Sequence, residues 1–343
     1  MKNALEDYLS QTLWTKKAIE SVFAAVGDRQ LSIFRYDYVI ENHFKDSLLM
    51  NILDGISYLK GILPLVCIVA NLCFWLVPLV FLTLLKSIIP ARKLQDLLAL
   101  LMEWVYRLAV RCDDPILFRI IGTKLEVEGI AKKYPDKYYL IIANHQSWND
   151  ILILQHLLNR KAPVLKFLVK RELIYLPIVG LICWAYDYPF LTRRSIKGFE
   201  SPQGRSQWDF WRLEKALDKF SRYPASLVNM AEGTRFTREK ARTHNSPYKH
   251  LLKPRAGGLT TILGLLGDRI SAILDVTIVY DCPHPSFWNF LCGRCSRVIV
   301  RVKEHAPKEI ARVYDFDTLA EWLKGIWEKK DREIGRIRRK LCQ

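Results

Sequence analysis

Residues 138–150 of the chain read YYLIIANHQSWND, a short apolar run that leads into a polar turn. Six consecutive apolar or aromatic residues, 138–143, indicate a strand buried within a sheet. The residues that follow, 148–159, have the apolar spacing of a helix. His145 and Asp150 both fall at this junction. The stretch therefore predicts a strand-to-helix unit with polar side chains at the carboxyl end of the strand.

The same alternation of strand and helix signals continues along the chain. Further strands are expected at 163–169, 188–192, 226–231, 273–280 and 298–303. Further helices are expected at 207–223, 259–266 and 316–341, and loops at 193–206 and 237–253. This order predicts an α/β fold, in which helices flank a mixed, largely parallel sheet.

A charge-free run covers residues 61–85 (GILPLVCIVANLCFWLVPLVFLTLL). Because about 20 apolar residues suffice to cross a bilayer as a helix, the run predicts a hydrophobic membrane segment. Pro64 and Pro78 leave its shape open between a single helix and a helical hairpin. The alternative is a buried hairpin of a soluble protein. The expected organisation is an N-terminal extension (1–60), the membrane segment (61–85), a main domain (86–310) and a C-terminal amphipathic helix (311–343).

Positive charge is concentrated after the apolar run. The chain has 343 residues, 52 Lys and Arg against 35 Asp and Glu, and a formal net charge of +17. Residues 1–60 carry seven basic and eight acidic side chains. The excess predicts an anionic partner: nucleic acid, an acidic membrane surface or a phosphorylated substrate. Since Lys86, Arg92 and Lys93 follow the run and Lys60 alone lies just before it, the positive-inside rule places 86–343 on the cytoplasmic side if the run spans the membrane.

Four residues of metal-binding types cluster at Cys282, His284, Cys292 and Cys295. A C-x-x-C pair suits zinc, but the C-x-H pair is tighter than ordinary zinc-finger spacing. We therefore expect reduced packing or surface thiols here and no metal site.

His145 and Asp150 can form a general base and its orienting carboxylate if the histidine precedes the helix and the aspartate lies in its first turn. In a continuous helix, positions five apart would diverge. The alternative is structural, because Ser147-x-x-Asp150 also fits a capping box. The H-x-x-x-x-D spacing by itself leaves both interpretations open.

Basic and glycine-containing segments supply candidate phosphate sites. Glu232-Gly233-Thr234-Arg235 follows the strand at 226–231, and glycine amides with an arginine suit a phosphate. Plain turns and solvated charges are the alternative. The other candidate cations are Arg193, after the strand at 188–192, and Lys170 of the Lys166-x-x-x-Lys170 pair. The chain contains no G-x-S-x-G, P-loop, G-x-G-x-x-G or H-E-x-x-H, which disfavours esterase, nucleotide-binding and zincin functions.

The order of these segments resembles the glycerophospholipid acyltransferase family, which includes the lysophosphatidic acid acyltransferases. A charge-free run is followed by NHQSWND, a Lys-containing segment, PFLTR, AEGTR and LDVTIVY. The resemblance covers roughly residues 61–310 and is nearest to the bacterial membrane-bound branch. Two positions depart from the family pattern: Ala231 stands where proline is common, and Asp275-Val276-Thr277 replaces a proline-bearing fourth motif.

The resemblance implies specific roles. His145 would act as general base on the hydroxyl of a lysophospholipid, oriented by Asp150. The acceptor phosphate would lie against Arg193 and the 232–235 motif, with Lys170 a weaker candidate. Because a carboxylate repels phosphate, Glu232 is expected to orient Arg235 or an amide. Acyl-CoA or acyl carrier protein would supply the thioester, without a further cofactor.

The expected function is therefore transfer of a fatty acyl group to 1-acyl-sn-glycerol-3-phosphate in phospholipid synthesis or remodelling. Bacterial inner-membrane attachment would bring the enzyme to its lipid substrate and to anionic lipid, and no nucleic-acid partner is expected. The alternatives are another lysophospholipid acceptor, a thioesterase that uses water, and a catalytically silent basic protein that binds membranes or nucleic acid.

Overall fold

The protein is described from a computed structural model. It describes residue 55 and residues 58–129, 137–191, 214, 223–306 and 316–341. The chain divides into two units, Met1–Leu59 and Lys60–Gln343, and the second contains all the elements below. The loop expected at 193–206 and nearly all of the helix expected at 207–223 lie outside the described residues.

The described part of the second unit contains helices before, between and after its strands. The helices are α1 (Ile62–Ile88), α2 (Arg92–Pro115), α3 (Asn149–Leu158), α4 (Pro177–Ala185), α5 (Arg238–Thr243), α6 (Ala256–Leu266), α7 (Phe287–Leu291) and α8 (Phe316–Leu341). A π-helical turn (Ile116–Ile120) and two 3₁₀ turns (Arg171–Tyr175, Gly267–Arg269) connect neighbouring elements.

Six strands form the main sheet: β1 (Lys124–Glu128), β2 (Tyr138–Ala143), β3 (Leu165–Phe167), β6 (Ser226–Met230), β7 (Ile270–Tyr280) and β8 (Arg297–His305). Their order across the sheet is β1-β8-β7-β2-β6-β3. Neighbouring strands run parallel except for the antiparallel pair β7–β8. Two short strands, β4 (Val169–Lys170) and β5 (Phe190–Leu191), pair separately. The predicted fold class, a mixed and largely parallel sheet flanked by helices, is confirmed.

The sheet separates two hydrophobic cores, because alternate side chains of a strand point to opposite faces. On one face, Tyr139 and Ile141 of β2 pack into a core shared with α1, α2 and α3. On the other, Leu140 and Ile142 pack with α6 and α8. Apolar burial on both faces explains why β2 reads as an unbroken apolar run in the sequence.

Helix α1 is one continuous helix of 27 residues with Pro78 inside it, and not a hairpin. Its mean hydropathy of 2.6 and its length would allow it to cross a membrane, which by itself is weak evidence. Ile68 and Leu79 belong to the first core, whereas Phe74, Val77 and Phe81 are exposed. Helix α1 therefore has an inner side packed into the domain and an outer side of exposed apolar residues.

Helix α8 contributes an unexpected buried cation. The Nζ of Lys330, 1% exposed, lies 2.6 Å from Oδ1 of Asp275 on β7 and donates to the carbonyl oxygen of Val276 at 2.6 Å. Asp275, one of the departures from the family pattern, thus forms an ion pair on the sheet face opposite to α1. The pair fixes the position of α8 against β7, because separating the two residues would leave an uncompensated buried charge.

The expectation of reduced thiols at Cys282 and Cys295 is wrong, because the two residues form a disulfide. Cys282 lies just after β7 and Cys295 just before β8, and the antiparallel pairing of these strands brings their Cα atoms to 5.0 Å. Cys292 is buried nearby and is not part of the disulfide. The described residues contain no group of three or more His, Cys, Asp or Glu side chains that could hold a metal ion.

Candidate active site

His145 and Asp150 are in direct contact at the carboxyl end of β2. The Nδ1 of His145 lies 2.8 Å from Oδ2 of Asp150, and the side chains are 18% and 0% exposed. The histidine precedes α3 and the aspartate lies in its first turn, so the five-residue spacing closes without a helix between them. With an Nδ1 proton donated to the carboxylate, Nε2 keeps a lone pair and can accept a proton. The arrangement is that of a general base with its orienting carboxylate.

The carboxylate of Asp150 also organises the turn itself. Oδ2 accepts the backbone N–H groups of Gln146 (2.7 Å) and Ser147 (2.9 Å), while Oδ1 accepts the hydroxyl of Tyr280 (2.7 Å). The bond from Ser147 N–H resembles one half of the capping box. The capping and dyad interpretations are therefore compatible, because one buried carboxylate forms both sets of contacts.

Asn144 anchors the start of the turn to β7. Its side-chain amide donates to the carbonyl oxygen of Ile278 (3.0 Å), and its Oδ1 accepts the N–H of the same residue (2.8 Å). Pairing of β2 with β7 ends at Ala143, opposite Val276, whereas β7 continues to Tyr280. The amide of Asn144 thus continues the hydrogen-bond ladder where the β2 backbone turns away.

The 232–235 motif forms a tight turn beside His145. Gly233 has φ +71 and donates its N–H to the carbonyl of Met230 (2.8 Å); this left-handed conformation favours glycine. The carbonyl of His145 accepts the N–H of Phe236 at 2.7 Å. The turn after β6 and the turn after β2 are therefore joined through their backbones, as expected for neighbouring strands of one sheet.

Glu232 lies inside this junction and is 1% exposed. Oε1 accepts the N–H of His145 (3.0 Å), and Oε2 accepts the N–H of Leu252 (2.8 Å). Its oxygens face these two amides and not Arg235. Burial raises the pKa of Glu232 to about 8, although the two backbone hydrogen bonds oppose the shift. The two oxygens of Glu232 therefore hold the backbone at His145 and at Leu252.

Arg235 and Thr234 lie on the outer side of the same turn. The guanidinium of Arg235, which is exposed, lies 5.3 Å from the centre of the Trp148 ring. The Nζ of Lys240 on α5 donates to Oγ1 of Thr234 (3.0 Å) and to the carbonyl of Arg235 (3.2 Å). Two cations therefore lie close together next to the dyad, where an anionic group could bind.

The remaining candidate cations are not placed by the structure. Arg193 lies outside the described residues. Lys170 is in β4, and its side chain also lies outside the described part. Their convergence with Arg235 on one phosphate stays a prediction.

Sequence reasoning missed three side chains that shape the site: Tyr280, Trp148 and Lys240. Trp148 belongs to the NHQSWND stretch, and an aromatic residue within a polar turn was an available signal. Lys240 follows the 232–235 motif by five residues and could be read as a neighbouring cation. Tyr280 is 130 positions from Asp150, and no local pattern predicts that contact.

Comparison with known proteins adds independent information. Residues 124–279 match a family model described as Acyltransferase. The 1-acyl-sn-glycerol-3-phosphate acyltransferase 3 of Arabidopsis thaliana is 27% identical over 213 residues, which cover 58% of this chain and 53% of the relative. The gamma form of Homo sapiens is 27% identical over 256 residues, which cover 70% and 61%. The chain thus spans little more than half the length of these relatives.

Among solved structures, the 1-acyl-sn-glycerophosphate (LPA) acyltransferase PlsC of Thermotoga maritima aligns with a TM-score of 0.46 and 15% identity, over 81% of this chain and 97% of that one. The resemblance drawn from the ordered motifs is confirmed by the family match and the relatives, whereas the bacterial branch stays a prediction. The matched region contains His145, Asp150 and the 232–235 motif in one site. Residues 124–279 of the chain are therefore similar to the acyltransferase family.

Proposed function

We propose that the protein is a membrane-bound acyltransferase that moves a fatty acyl group from a thioester to the free hydroxyl of 1-acyl-sn-glycerol-3-phosphate. The contact between Nδ1 of His145 and the buried carboxylate of Asp150 is the observation that carries the proposal. The names of the relatives, which are 1-acyl-sn-glycerol-3-phosphate acyltransferases, favour this acceptor over other lysophospholipids.

In the proposed reaction, Nε2 of His145 takes the proton of the acceptor hydroxyl as its oxygen attacks the thioester carbonyl. Asp150 stabilises the imidazolium that forms and keeps the ring oriented. When the tetrahedral intermediate collapses, the C–S bond breaks and the imidazolium of His145 returns the proton to the leaving thiolate, which departs as a free thiol. Because a thiolate is a good leaving group, the proposed reaction requires no further cofactor.

The phosphate of the acceptor would bind outside the dyad. Arg235 offers a planar fork of donors, and Lys240 lies behind the same turn. The ring of Trp148, against which Arg235 lies, would limit the directions available to the guanidinium. Arg193 and Lys170 complete the proposed phosphate site on the basis of the family resemblance.

Membrane attachment would bring the enzyme to both lipid substrates. The exposed apolar side of α1 and its length support insertion, and Lys86, Arg92 and Lys93 favour a cytoplasmic catalytic domain. Each cation near an anionic lipid surface adds about 1 kcal/mol of attraction. We place the protein in the bacterial inner membrane on the resemblance alone.

The direct test supplies purified protein in detergent or vesicles with labelled 1-acyl-sn-glycerol-3-phosphate and a defined thioester. Acyl-CoA and acyl carrier protein thioesters are supplied in separate reactions, and lipid mass spectrometry follows the products. Conversion to the diacyl product supports the proposal. Release of free fatty acid without consumption of the lysophospholipid would instead identify a thioesterase, and another lysophospholipid used in its place would correct the acceptor.

A further inference from the structure

We propose that Tyr280 is a positioning residue of the dyad, whose hydroxyl holds Asp150 in place and limits how strongly this carboxylate stabilises a protonated His145. The inference rests on the proposed function for its kinetic consequence. Its effect on the titration of His145 can be measured whether or not acyl transfer occurs.

The position of Tyr280 follows from the length of β7. The strand runs four residues past the last pair that it makes with β2, and Tyr280 is its final residue. The ring is 1% exposed and packs edge-on against Phe290 of α7, with ring centres 6.2 Å apart. This packing fixes the ring so that the hydroxyl reaches Asp150 at 2.7 Å.

The two oxygens of Asp150 have different partners. Oδ2 meets Nδ1 of His145 and the N–H groups of Gln146 and Ser147, whereas Oδ1 accepts the hydroxyl of Tyr280. Each donor offsets part of the negative charge of the carboxylate. Without the Tyr280 donor, the charge on Asp150 would be less satisfied and would attract an imidazolium more strongly.

Tyr280 remains a neutral donor throughout the working pH range. Burial raises the pKa of its hydroxyl well above the ordinary value, and the charge of Asp150 acts in the same direction. The hydroxyl therefore does not compete with His145 as a titrating group, and its influence comes through the hydrogen bond to Oδ1.

Other charged groups lie near the dyad or act on Glu232 beside it, and they are the background for any pH effect. The turn after β6 contributes Glu232, whose pKa is raised partly by the charge of Asp150. It also contributes Arg235, which lies over the ring of Trp148, and is followed by Lys240, which donates to Thr234. Helix α8 contributes Lys330, which acts on Glu232 and pairs with Asp275 of β7. Replacing only the hydroxyl of Tyr280 leaves all of these groups in place.

The experiment compares Tyr280→Phe with Tyr188→Phe. Tyr188 is also a buried tyrosine, but its hydroxyl donates to the carbonyl of Leu165 (2.8 Å) and not to the dyad. The titration of His145 is followed by NMR of histidine-labelled protein, with its resonance identified by its loss in His145→Ala. Rates of acyl transfer are measured over the same pH range.

In Tyr280→Phe the midpoint of the His145 titration should move to higher pH by about 0.5 unit, because one hydrogen bond to the carboxylate is lost. The acid limb of kcat/KM should move with the midpoint. We expect kcat to fall about tenfold with little change in KM, because Asp150 is no longer held in place and keeps the imidazole less well aligned. Tyr188→Phe should leave the His145 midpoint, kcat and KM at their wild-type values. A midpoint in Tyr280→Phe that stays at the wild-type value or moves to lower pH overturns the inference.

A second variant keeps the inference testable if Tyr280→Phe does not fold. Site-specific 3-fluorotyrosine at position 280 keeps the ring and makes the hydroxyl a stronger donor, so the His145 midpoint should move to lower pH. An unchanged or raised midpoint contradicts the inference. If wild-type protein shows no acyl transfer while the midpoints shift as expected, the proposed function fails and the positioning role of Tyr280 stands.

Discussion

Glu232 accepts the backbone N–H of His145 at 3.0 Å, which joins two motifs that lie 87 residues apart in the chain. The carboxyl group of Glu232 is almost completely buried, which is unusual for a glutamate. Its second oxygen accepts the N–H of Leu252, so one side chain fixes three segments around the base. The glutamate of the 232–235 motif therefore supports the turn that carries His145, whereas Arg235 is exposed.

The buried Glu232 makes stability depend on pH. Its pKa is raised from 4.5 to about 8, so the stability gained from its neutral form is full below about pH 4.5 and is lost progressively as the pH rises to about 8. Glu232→Gln removes this titration but loses one acceptor, since the Gln amide nitrogen cannot accept an N–H. Wild type should therefore be more stable than the variant near pH 5, and the gap should narrow or reverse by pH 8.

Thermal unfolding of both proteins in one detergent, at several pH values, measures this difference. Asp113, whose pKa burial raises to about 6, is common to both proteins and cancels in the comparison. Unfolding temperatures that stay a constant interval apart from pH 5 to pH 8 would contradict the assignment.

Asp150→Asn separates the charge of this residue from its role in the turn. Asparagine keeps a side-chain acceptor for Gln146 or Ser147 but cannot stabilise an imidazolium. We expect kcat to fall by about 10⁴, as when a triad carboxylate is neutralised. The matched control is Asp114→Asn, which removes the charge from a second His–Asp pair, with His156, on the same side of the domain. A near-normal rate in folded Asp150→Asn would reduce this residue to a helix cap.

Arg235→Ala should weaken use of the phosphorylated acceptor. A lost hydrogen bond to a charged group costs roughly 1.5–3 kcal/mol, so KM for 1-acyl-sn-glycerol-3-phosphate should rise about ten- to a hundredfold. Arg235→Lys should restore only part of the affinity for the acceptor, because an ammonium group lacks the planar fork of donors. KM for the thioester should stay unchanged, and Arg238→Ala, an exposed cation three residues further on, serves as the control. A wild-type acceptor KM in Arg235→Ala would show that the motif is only a turn.

Helix α1 should hold the protein in the membrane through its exposed apolar side. Wild type should resist extraction by high salt, because salt screens charge but not apolar burial. Phe74→Lys combined with Phe81→Lys should release part of the protein, since each Lys costs about 2.5–3.5 kcal/mol in a bilayer. Phe316→Lys, at an exposed aromatic residue of α8, is the control.

Fractionation of membranes after salt and alkaline washes gives the result, and wild type released by salt alone would contradict the anchor. A chain that starts at Lys86 is a poorer test than these substitutions. It would remove Ile68 and Leu79 from the first core and expose their buried partners.

Much of the fold follows from local patterns in the sequence. The strand at 138–143 and the helix at 316–341 are found with the predicted bounds, because an unbroken apolar run and a long amphipathic period are strong signals. Strand β1, Lys124–Glu128, gave no such signal: it lies at the edge of the sheet, and its side chains are mostly exposed. Edge strands of this kind lack the apolar pattern that identifies a core strand.

The site was predictable where its residues are close in the sequence. The His145–Asp150 pair and the turn at Gly233 depend on local chain geometry. The contacts of Tyr280 with Asp150 and of Lys330 with Asp275 depend on sheet order and helix packing, which no spacing reveals. Lys330 lies in an amphipathic helix, where a lysine ordinarily indicates the solvated face.

The central claim is that His145 is the base for acyl transfer, and one comparison tests it most directly. Initial rates of transfer from a labelled thioester to 1-acyl-sn-glycerol-3-phosphate are measured for wild type, His145→Ala and His156→Ala. His156 also contacts a carboxylate through Nδ1, which lies 2.6 Å from Asp114. His156→Ala therefore removes the same kind of side chain from the second His–Asp pair and serves as the matched control. We expect His145→Ala to lose at least about 10³ in rate while it stays folded and membrane-bound, and His156→Ala to stay within a few-fold of wild type. Transfer by folded His145→Ala at a rate within a few-fold of wild type would contradict the account.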